Sequence, residues 1–352
     1  MKALVFKGPW EMAIEERPIR EPGPGEAIVE VLATGVCGSD IHGFTGHTGR
    51  RHVGQVMGHE TVGIVHSLPV PTSRVTVGDL VTINPGIVCG VCDACLSGEE
   101  QQCEGLRVLG VVPEIDAAFA EFVTVPVASL VPLLPSTPPA LGALVEPLAV
   151  GYHAVRRANL RAGESLLVIG GGPIGQAVAL AAARVDAGAV LVTEMSQHRR
   201  DLLSSLGVRS VAPEDLEDEL AGRRPTAVVD AVGNSETLEV SLTYSAKSAR
   251  VVLLGMDSPQ LQVPAYSVSV AERSIVGSFC YSREDFELTA RWLEQNVGLV
   301  AQLIDAVEPM TAGHDIFTKL GRRELNSSKV LLAPNAAILP SAVIPWEETD
   351  AV

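Results

Sequence analysis

Aromatic residues are scarce in this chain. Three Trp, four Tyr and seven Phe make up 4% of 352 residues, so the core must rest on Ala, Val, Leu and Ile. Positive charge is also short: 26 Lys and Arg face 42 Asp and Glu, a formal charge of −16. Such a surface repels phosphate backbones and anionic lipids, which argues against nucleic acid and membrane partners. The first residues, MKALVFKGPWEMAIEERPIR, lack the charged leader, long apolar core and small-residue cleavage site of a secretory signal. An uninterrupted apolar run of membrane-span length is also missing. The longest, LLVIGGGPIGQAVALAAA from Leu166, is broken by its GGGPIG centre and reads as strand, turn and helix. A cytoplasmic location is therefore expected, and there the six cysteines are expected as metal ligands rather than disulfides.

What is present describes a folded chain. Hydrophobic residues reach 47% and charged residues 19%, and 352 residues suit two domains. Up to about residue 147 the chain reads as short strands with frequent Gly and Pro: KALVF, EAIVEVLA, GIVHSL, DLVTINP and FVTVPV. From about Gly151 apolar β runs (SLLVIG, AVLVTE, AVVDAV, VVLLG) alternate with helical patterns such as SQHRRDLLSSLG. That alternation is what a parallel sheet with crossover helices requires. A helix, REDFELTARWLEQN, and a strand, KVLLAP, follow; residues from about Asn335 to Val352 read as a loose tail, and no internal repeat is visible.

Cys89, Cys92, Cys95 and Cys103 stand in CGVCDACLSGEEQQC. Thiolates at two-residue spacing on a turning backbone converge on one tetrahedral ion, and a fourth closes the site. Structural zinc is expected there, in a lobe at about residues 86–106. An iron-sulfur cluster is the rival, since repeated two-residue spacings also serve such clusters. Here seven residues separate Cys95 from Cys103, Glu104 rather than Pro follows, and no second set of four exists.

In LLVIGGGPIGQAV, Gly170, Gly172 and Gly175 have G-x-G-x-x-G spacing between a strand and a helix. The first glycine permits the turn, the second lets backbone approach a pyrophosphate, and the third allows close helix packing, with Pro173 opening the helix. Glu194 lies 19 residues beyond Gly175, at the end of the next strand, where an acid accepts hydrogen bonds from ribose hydroxyls and repels a 2′-phosphate. NAD is therefore expected over NADP. Arg199 and Arg200 pull the other way, as cations able to bind that phosphate or as a solvated helix face.

GVCGSDIH at 35–42, MGHETVG with His59 and Glu60, and LVEPLAVGYH with Glu146 form a third set. Cys37, His59 and one carboxylate offer sulfur, nitrogen and oxygen, a mixture that suits a catalytic zinc with its fourth position open. Each residue alone reads as a buried Cys, a satisfied His or a surface acid.

GHETVGIV, the four-Cys lobe, AAFAEFVTVP, VEPLAVGYHAV and VIGGGPIG, in this order from Met1 to about Pro334, resemble the zinc-dependent medium-chain dehydrogenases. Within them the chain is most similar to the polyol branch, the sorbitol and threonine dehydrogenase relatives. The resemblance implies a doubly wound NAD-binding domain at 148–283 and a β-rich catalytic domain at 1–147 and 284–352. It implies Cys37, His59 and Glu60 as catalytic-zinc ligands, with Glu146 orienting bound water or substrate and ligating the metal in some states. Ser39 matches the hydroxyl that bonds the substrate alcohol, and His42 the histidine that passes its proton outward. Ile174, Glu194 and Arg199 match positions lining NAD; Leu254, Gly255 and Met256, with Ser278 and Phe279, match the loops beside the nicotinamide. Asp40 is expected to hold the loop or a ligand, His153 and Asp230 to be structural, and Cys280 to be a buried thiol.

Departures from sorbitol dehydrogenases bear on substrate. Those enzymes carry an aromatic residue after the relay histidine, where this chain has Gly43, and Arg-Tyr where it has Cys280-Tyr281. His47, Arg50, Arg51 and His52 either contact a polar substrate or face solvent. The expected activity is hydride transfer between NAD and a secondary alcohol of a polyol, sugar derivative, cyclitol or diol, by a homodimer or homotetramer. A non-catalytic zinc and NAD sensor and an iron-sulfur carrier are the alternatives.

Overall fold

A computed structural model describes residues 1–47, 49–325 and 327–335, so the expected tail lies, beyond Asn335, outside the described residues. The chain divides into two compact units, Met1–Glu146 with Phe286–Val352, and Pro147–Asp285. The first unit carries β1 (Lys2–Gly8), β2 (Glu11–Glu16), β3 (Glu26–Gly35), β4 (Glu60–Ser67), β5 (Leu80–Ile83), β6 (Gly86–Ile87), β7 (Arg107–Val108), β8 (Phe122–Pro126) and β9 (Leu130–Pro132). The second carries β10 (Leu166–Ile169), β11 (Val190–Thr193), β12 (Arg209–Val211), β13 (Ala227–Asp230), β14 (Arg250–Leu253) and β15 (Ser274–Gly277). β16 (Ile304–Pro309) and β17 (Lys329–Ala333) belong again to the first.

In the first unit β1 and β2 pair as an antiparallel hairpin, and the larger sheet runs β16-β17-β3-β4-β5-β9 with β8 also on β3. β3 alternates as a half-buried strand should, sending Ala27, Val29 and Val31 into a cluster with Val65, Val81, Ile83, Val123 and Val125. Its last residue, Gly35, pairs with Glu60 on one side and with Leu331 on the other. That register brings the starts of β4 and β17 to the end of β3, where α1 (Gly38–Phe44) follows. The short β6 and β7 pair beside α2 (Asp93–Leu96), framing the four cysteines.

The second unit holds six parallel strands in the order β12-β11-β10-β13-β14-β15. Leu166 and Val168 of β10 pack with Ala154 and Val155 of α3 (Val145–Arg157), Val178 of α4 (Pro173–Ala183) and Leu203 of α5 (Gln197–Ser205). Leu167 and Ile169 pack on the other face with Leu216 of α6 (Leu216–Leu220) and Leu238 of α7 (Ser235–Tyr244). A parallel sheet covered on both faces explains why its strands read as continuous apolar runs. This strand order is that of the doubly wound dinucleotide-binding fold.

His153 serves this unit's architecture. Its Nδ1 lies 2.7 Å from Asp285 Oδ2, while Arg156 donates to Oδ1 at 2.5 Å and Ser282 N–H to Oδ2. Burial pushes the Asp285 carboxyl up, but His153 and Arg156 outweigh it and hold the group below its ordinary value. A depressed carboxyl stabilises the fold above its unfolded pKa, about 3.9, and that contribution fades as pH falls through the folded value. Asp285→Asn is therefore expected to lower the urea midpoint at pH 7, with a narrower gap to wild type at pH 3. An equal gap at both pH values would contradict the assignment.

Candidate functional site

Cys37 occupies the N-cap of α1 in extended backbone geometry (φ −92°, ψ 152°), and Asp40 three residues on accepts its N–H at 3.2 Å. This reciprocal turn is why a crowded polar octapeptide folds into one helical turn. Ser39 and His42 sit three apart on that helix, on one side, and both are half-buried. The His42 ring lies 5.3 Å from that of His47.

Cys37, His59 and Glu60 each place a donor atom within 4.8 Å of the others. A tetrahedron of 2.0–2.3 Å bonds spaces its donors about 3.5 Å apart, so the three suit one zinc ion. Asp40 and His59 are both buried, with Asp40 Oδ1 3.6 Å from His59 Nδ1, and neither atom has a hydrogen-bond partner. A carboxylate behind an imidazole nitrogen is the arrangement that orients a metal-binding histidine. Burial lowers the His59 pKa, yet Asp40, Cys37 and Glu146 together raise it well above the ordinary value. Surroundings that draw a proton so strongly are those a divalent cation neutralises, and the donor set therefore fits zinc. Glu146, buried in the first turn of α3, acts on His59 and Lys329 through its charge.

Lys329 was not singled out by its sequence context. Its Nζ donates to both Glu60 oxygens at 2.7 Å and to Val36 O at 3.3 Å, with the side chain 4% exposed and Glu60 fully buried. Gly35 permits the contact: a Cβ there would fall on the Glu60 carboxylate, 3.1 Å from Cδ. The Arg51 side chain is 4% exposed and packs against protein atoms, while His47, Arg50 and His52 are exposed.

The four lobe cysteines form the second donor group, with Sγ separations of 3.5 Å (Cys92–Cys95), 3.6 Å (Cys89–Cys103) and 3.9 Å (Cys89–Cys95). These lie far beyond a disulfide bond, about 2.05 Å, and match donors around one zinc. Backbone N–H groups of Val91 and Cys92, with neighbouring thiols, hold Cys89 down to about 6, while burial and the same neighbours push Cys95 up to about 12, so the adjacent thiols share their protons until a cation replaces them.

In the second unit, Gly170 takes φ +92° after β10, and Gly172 caps α4 with Pro173 following and no side-chain cap. The first turn of α4 thus keeps N–H groups for an anion. A Cβ at Gly175 would collide with Gly170 O, and one at Gly171 would lie 2.8 Å from Glu194 Cβ, so a glycine outside the three-glycine spacing is needed as well. Glu194, buried at the end of β11, accepts from Gly171 and Ser196 N–H at 2.8 Å each, with Arg199 Nη1 3.8 Å away. Arg200 donates to Glu194 O and Met195 O, so it braces this turn. Leu254–Met256 follow β14 and Ser278–Phe279 follow β15; Met256 and Phe279 are exposed, and Ser278 Oγ is buried without a partner. All these residues gather at the carboxyl ends of the strands, where such sheets bind ligands. Asp230 instead accepts from Val232 N, Gly233 N and Thr237 Oγ1, a structural use.

No helix among the described residues is long and apolar enough to cross a membrane. Residues 23–136 match the family described as alcohol dehydrogenase GroES-like domain, and residues 173–295 match zinc-binding dehydrogenase. The chain is 32% identical over 302 residues to L-galactonate-5-dehydrogenase of Escherichia coli K12, covering 84% of this chain and 88% of the relative. A Sinorhizobium meliloti 1021 protein bound to NADP, provisionally named a zinc-binding dehydrogenase, aligns with TM-score 0.86 and 26% identity, over 95% of this chain and 99% of its own. An alcohol dehydrogenase from Escherichia coli CFT073 complexed with NADH aligns equally well, at 0.86 and 27%, with the same coverage. With sequence order, fold and two donor groups in agreement, the chain belongs to the zinc-dependent medium-chain alcohol dehydrogenases, within their polyol branch.

Proposed function

We propose that this dehydrogenase transfers hydride from a secondary alcohol of a polyhydroxylated substrate, such as a sugar acid, to NAD. The convergence of Cys37, His59 and Glu60 within 4.8 Å carries the reading. Cys37, His59 and Glu60 would hold a zinc ion that would supply Lewis acidity, and the glycine turn after β10 would hold the NAD that would supply a hydride acceptor. Ser39 takes the hydroxyl proton and His42, one helical turn on, passes it outward. Asp40, Cys37 and Glu146 set the charge around His59, and Asp40 backs its ring. Glu194 receives the adenosine ribose, Arg199 stands beside the phosphates, and the open first turn of α4 cradles the pyrophosphate. The cysteine lobe holds a second, structural zinc. The similarity to L-galactonate-5-dehydrogenase supports the substrate class, and the buried Glu194 supports NAD. A cytoplasmic homo-oligomer completes the proposal: the six cysteines are thiols rather than disulfides, and Tyr266 and Val270 present exposed apolar surface.

A panel of sugar acids, polyols and diols tested with NAD and NADP decides the matter. Zinc-dependent NADH formation is expected, and Glu194→Gln should narrow the preference for NAD over NADP about tenfold, the equivalent of 1.4 kcal/mol. Cofactor binding without turnover on any member of the panel would sink the proposal.

A further inference from the structure

Arg51 is the charged residue whose placement the proposed reaction leaves unexplained. It lies in the loop between α1 and β4, where a cation ordinarily faces water, yet its side chain is 4% exposed. A buried guanidinium must be paired, and its neighbours here are specific. Nη1 donates to Val111 O at 3.2 Å and Nε approaches Met57 Sδ at 3.1 Å. Nη2 lies 3.5 Å from Ser39 O and 3.7 Å from Asp40 Oδ1, the second an ion-pair distance rather than a hydrogen bond. One planar group thus joins α1, the segment entering His59 and the loop at Val111.

Space for it comes from a single residue. A Cβ built on Gly43 would lie 2.5 Å from Arg51 Cγ and 2.7 Å from Nε, closer than real side chains approach. Gly43 is buried in α1, so any side chain there would have to displace Arg51. The aromatic residue that sorbitol dehydrogenases carry after the relay histidine could not coexist with this arginine in its present place. Gly43 and Arg51 therefore form one unit of two residues.

We propose that Arg51, admitted by Gly43, is a positioning residue for the His59 side of the metal site. Asp40 is fully buried and is held from two directions, by Cys37 N–H and by the Arg51 guanidinium, while its Oδ1 faces His59 Nδ1. Without Arg51 the carboxylate keeps only the Cys37 bond and the histidine ring loses its fixed backing. Partners of this kind commonly alter metal affinity or activity by about 10- to 100-fold. The inference rests on the zinc dehydrogenase reading above and adds to it a residue outside the ligand set.

The test titrates the purified full-length chain with a zinc chelator and counts zinc per chain, with turnover followed separately. Arg51→Ala is expected to release one of two zinc ions at about 10- to 100-fold lower chelator, keep the other, and lower kcat without changing KM for NAD. Arg51→Lys should restore part of the loss, since an ammonium supplies charge without the planar fork. Gly43→Ala ordinarily favours a helix, so early zinc release with undiminished thermal stability points to a displaced Arg51. The double variant Gly43→Ala/Arg51→Ala should be no worse than Arg51→Ala alone. Should Arg51→Ala fail to fold, the lysine and Gly43→Ala variants carry the test. Wild-type zinc retention in both, or strictly additive losses in a folded double variant, overturns the proposal. If the wild-type protein turns over no alcohol, the dehydrogenase reading fails by itself, while the zinc counts still judge Arg51.

Discussion

Cys37→Ala is expected to lower turnover at least ~10³-fold and to reduce zinc from two ions per chain to one, with the fold retained. Residues merely backing a ligand cost about 10- to 100-fold, and a direct ligand lies beyond that range. The fold should survive because Cys37 is only half-buried and its helix-capping bond uses the backbone N–H, which alanine keeps. Cys89→Ala gives the opposite pattern. Its thiol belongs to a closed group in a lobe with little other secondary structure than β6, β7 and α2, so binding energy there is folding energy. That variant should lose the other zinc, melt earlier and aggregate, with residual activity following the folded fraction. Zinc analysis, circular dichroism and NADH formation on both variants separate the roles. Wild-type turnover by Cys37→Ala would disprove the catalytic assignment.

Four central strands of the second unit were legible, because a parallel sheet covered on both faces forces uninterrupted apolar runs such as LLVI and AVVD, whereas the edge strands β12 and β15 are short and partly exposed. The first unit was less so. β16, IDAVEP, carries two acids on a half-exposed strand and pairs in parallel with β17, so neither alternation nor a hairpin turn marks it. The helix Gly313–Gly321 also escaped, although its buried Phe317 packs against Phe44 and Phe119. At the site, Cys37, Asp40, His59 and Glu60 stand in short strings whose spacing advertises chemistry. Lys329, 269 residues from its partner Glu60, does not. A lysine at the start of a strand reads as a surface residue until strand register shows that it faces inward. Gly35 was equally silent, and Gly43 stood out only as a departure from sorbitol dehydrogenases, because neither string shows which side chain, Glu60 or Arg51, the missing Cβ makes room for.

Lys329→Met should accordingly cost about 3–5 kcal/mol, as breaking a buried pair from one side does, because both buried Glu60 oxygens would lose the donor they accept from. Burial lowers the Lys329 pKa, but Glu60, Cys37 and Glu146 outweigh it and raise the value overall. A raised amine stabilises the fold below its unfolded pKa and loses that contribution only as pH rises through the folded value. The full cost is therefore expected at pH 7, read as a fall in urea midpoint at unchanged m-value. Glu60→Gln in the same chain removes the stranded charge and should recover most of the stability, since replacing both partners of a buried pair is often close to neutral. Activity should not return with it, because Glu60 is also the oxygen donor beside Cys37 and His59. Stability restored without turnover would show that one carboxylate serves the fold through Lys329 and the chemistry through the metal. Turnover recovering in step with stability would confine Glu60 to the ion pair and leave Glu146 as the acid at the metal.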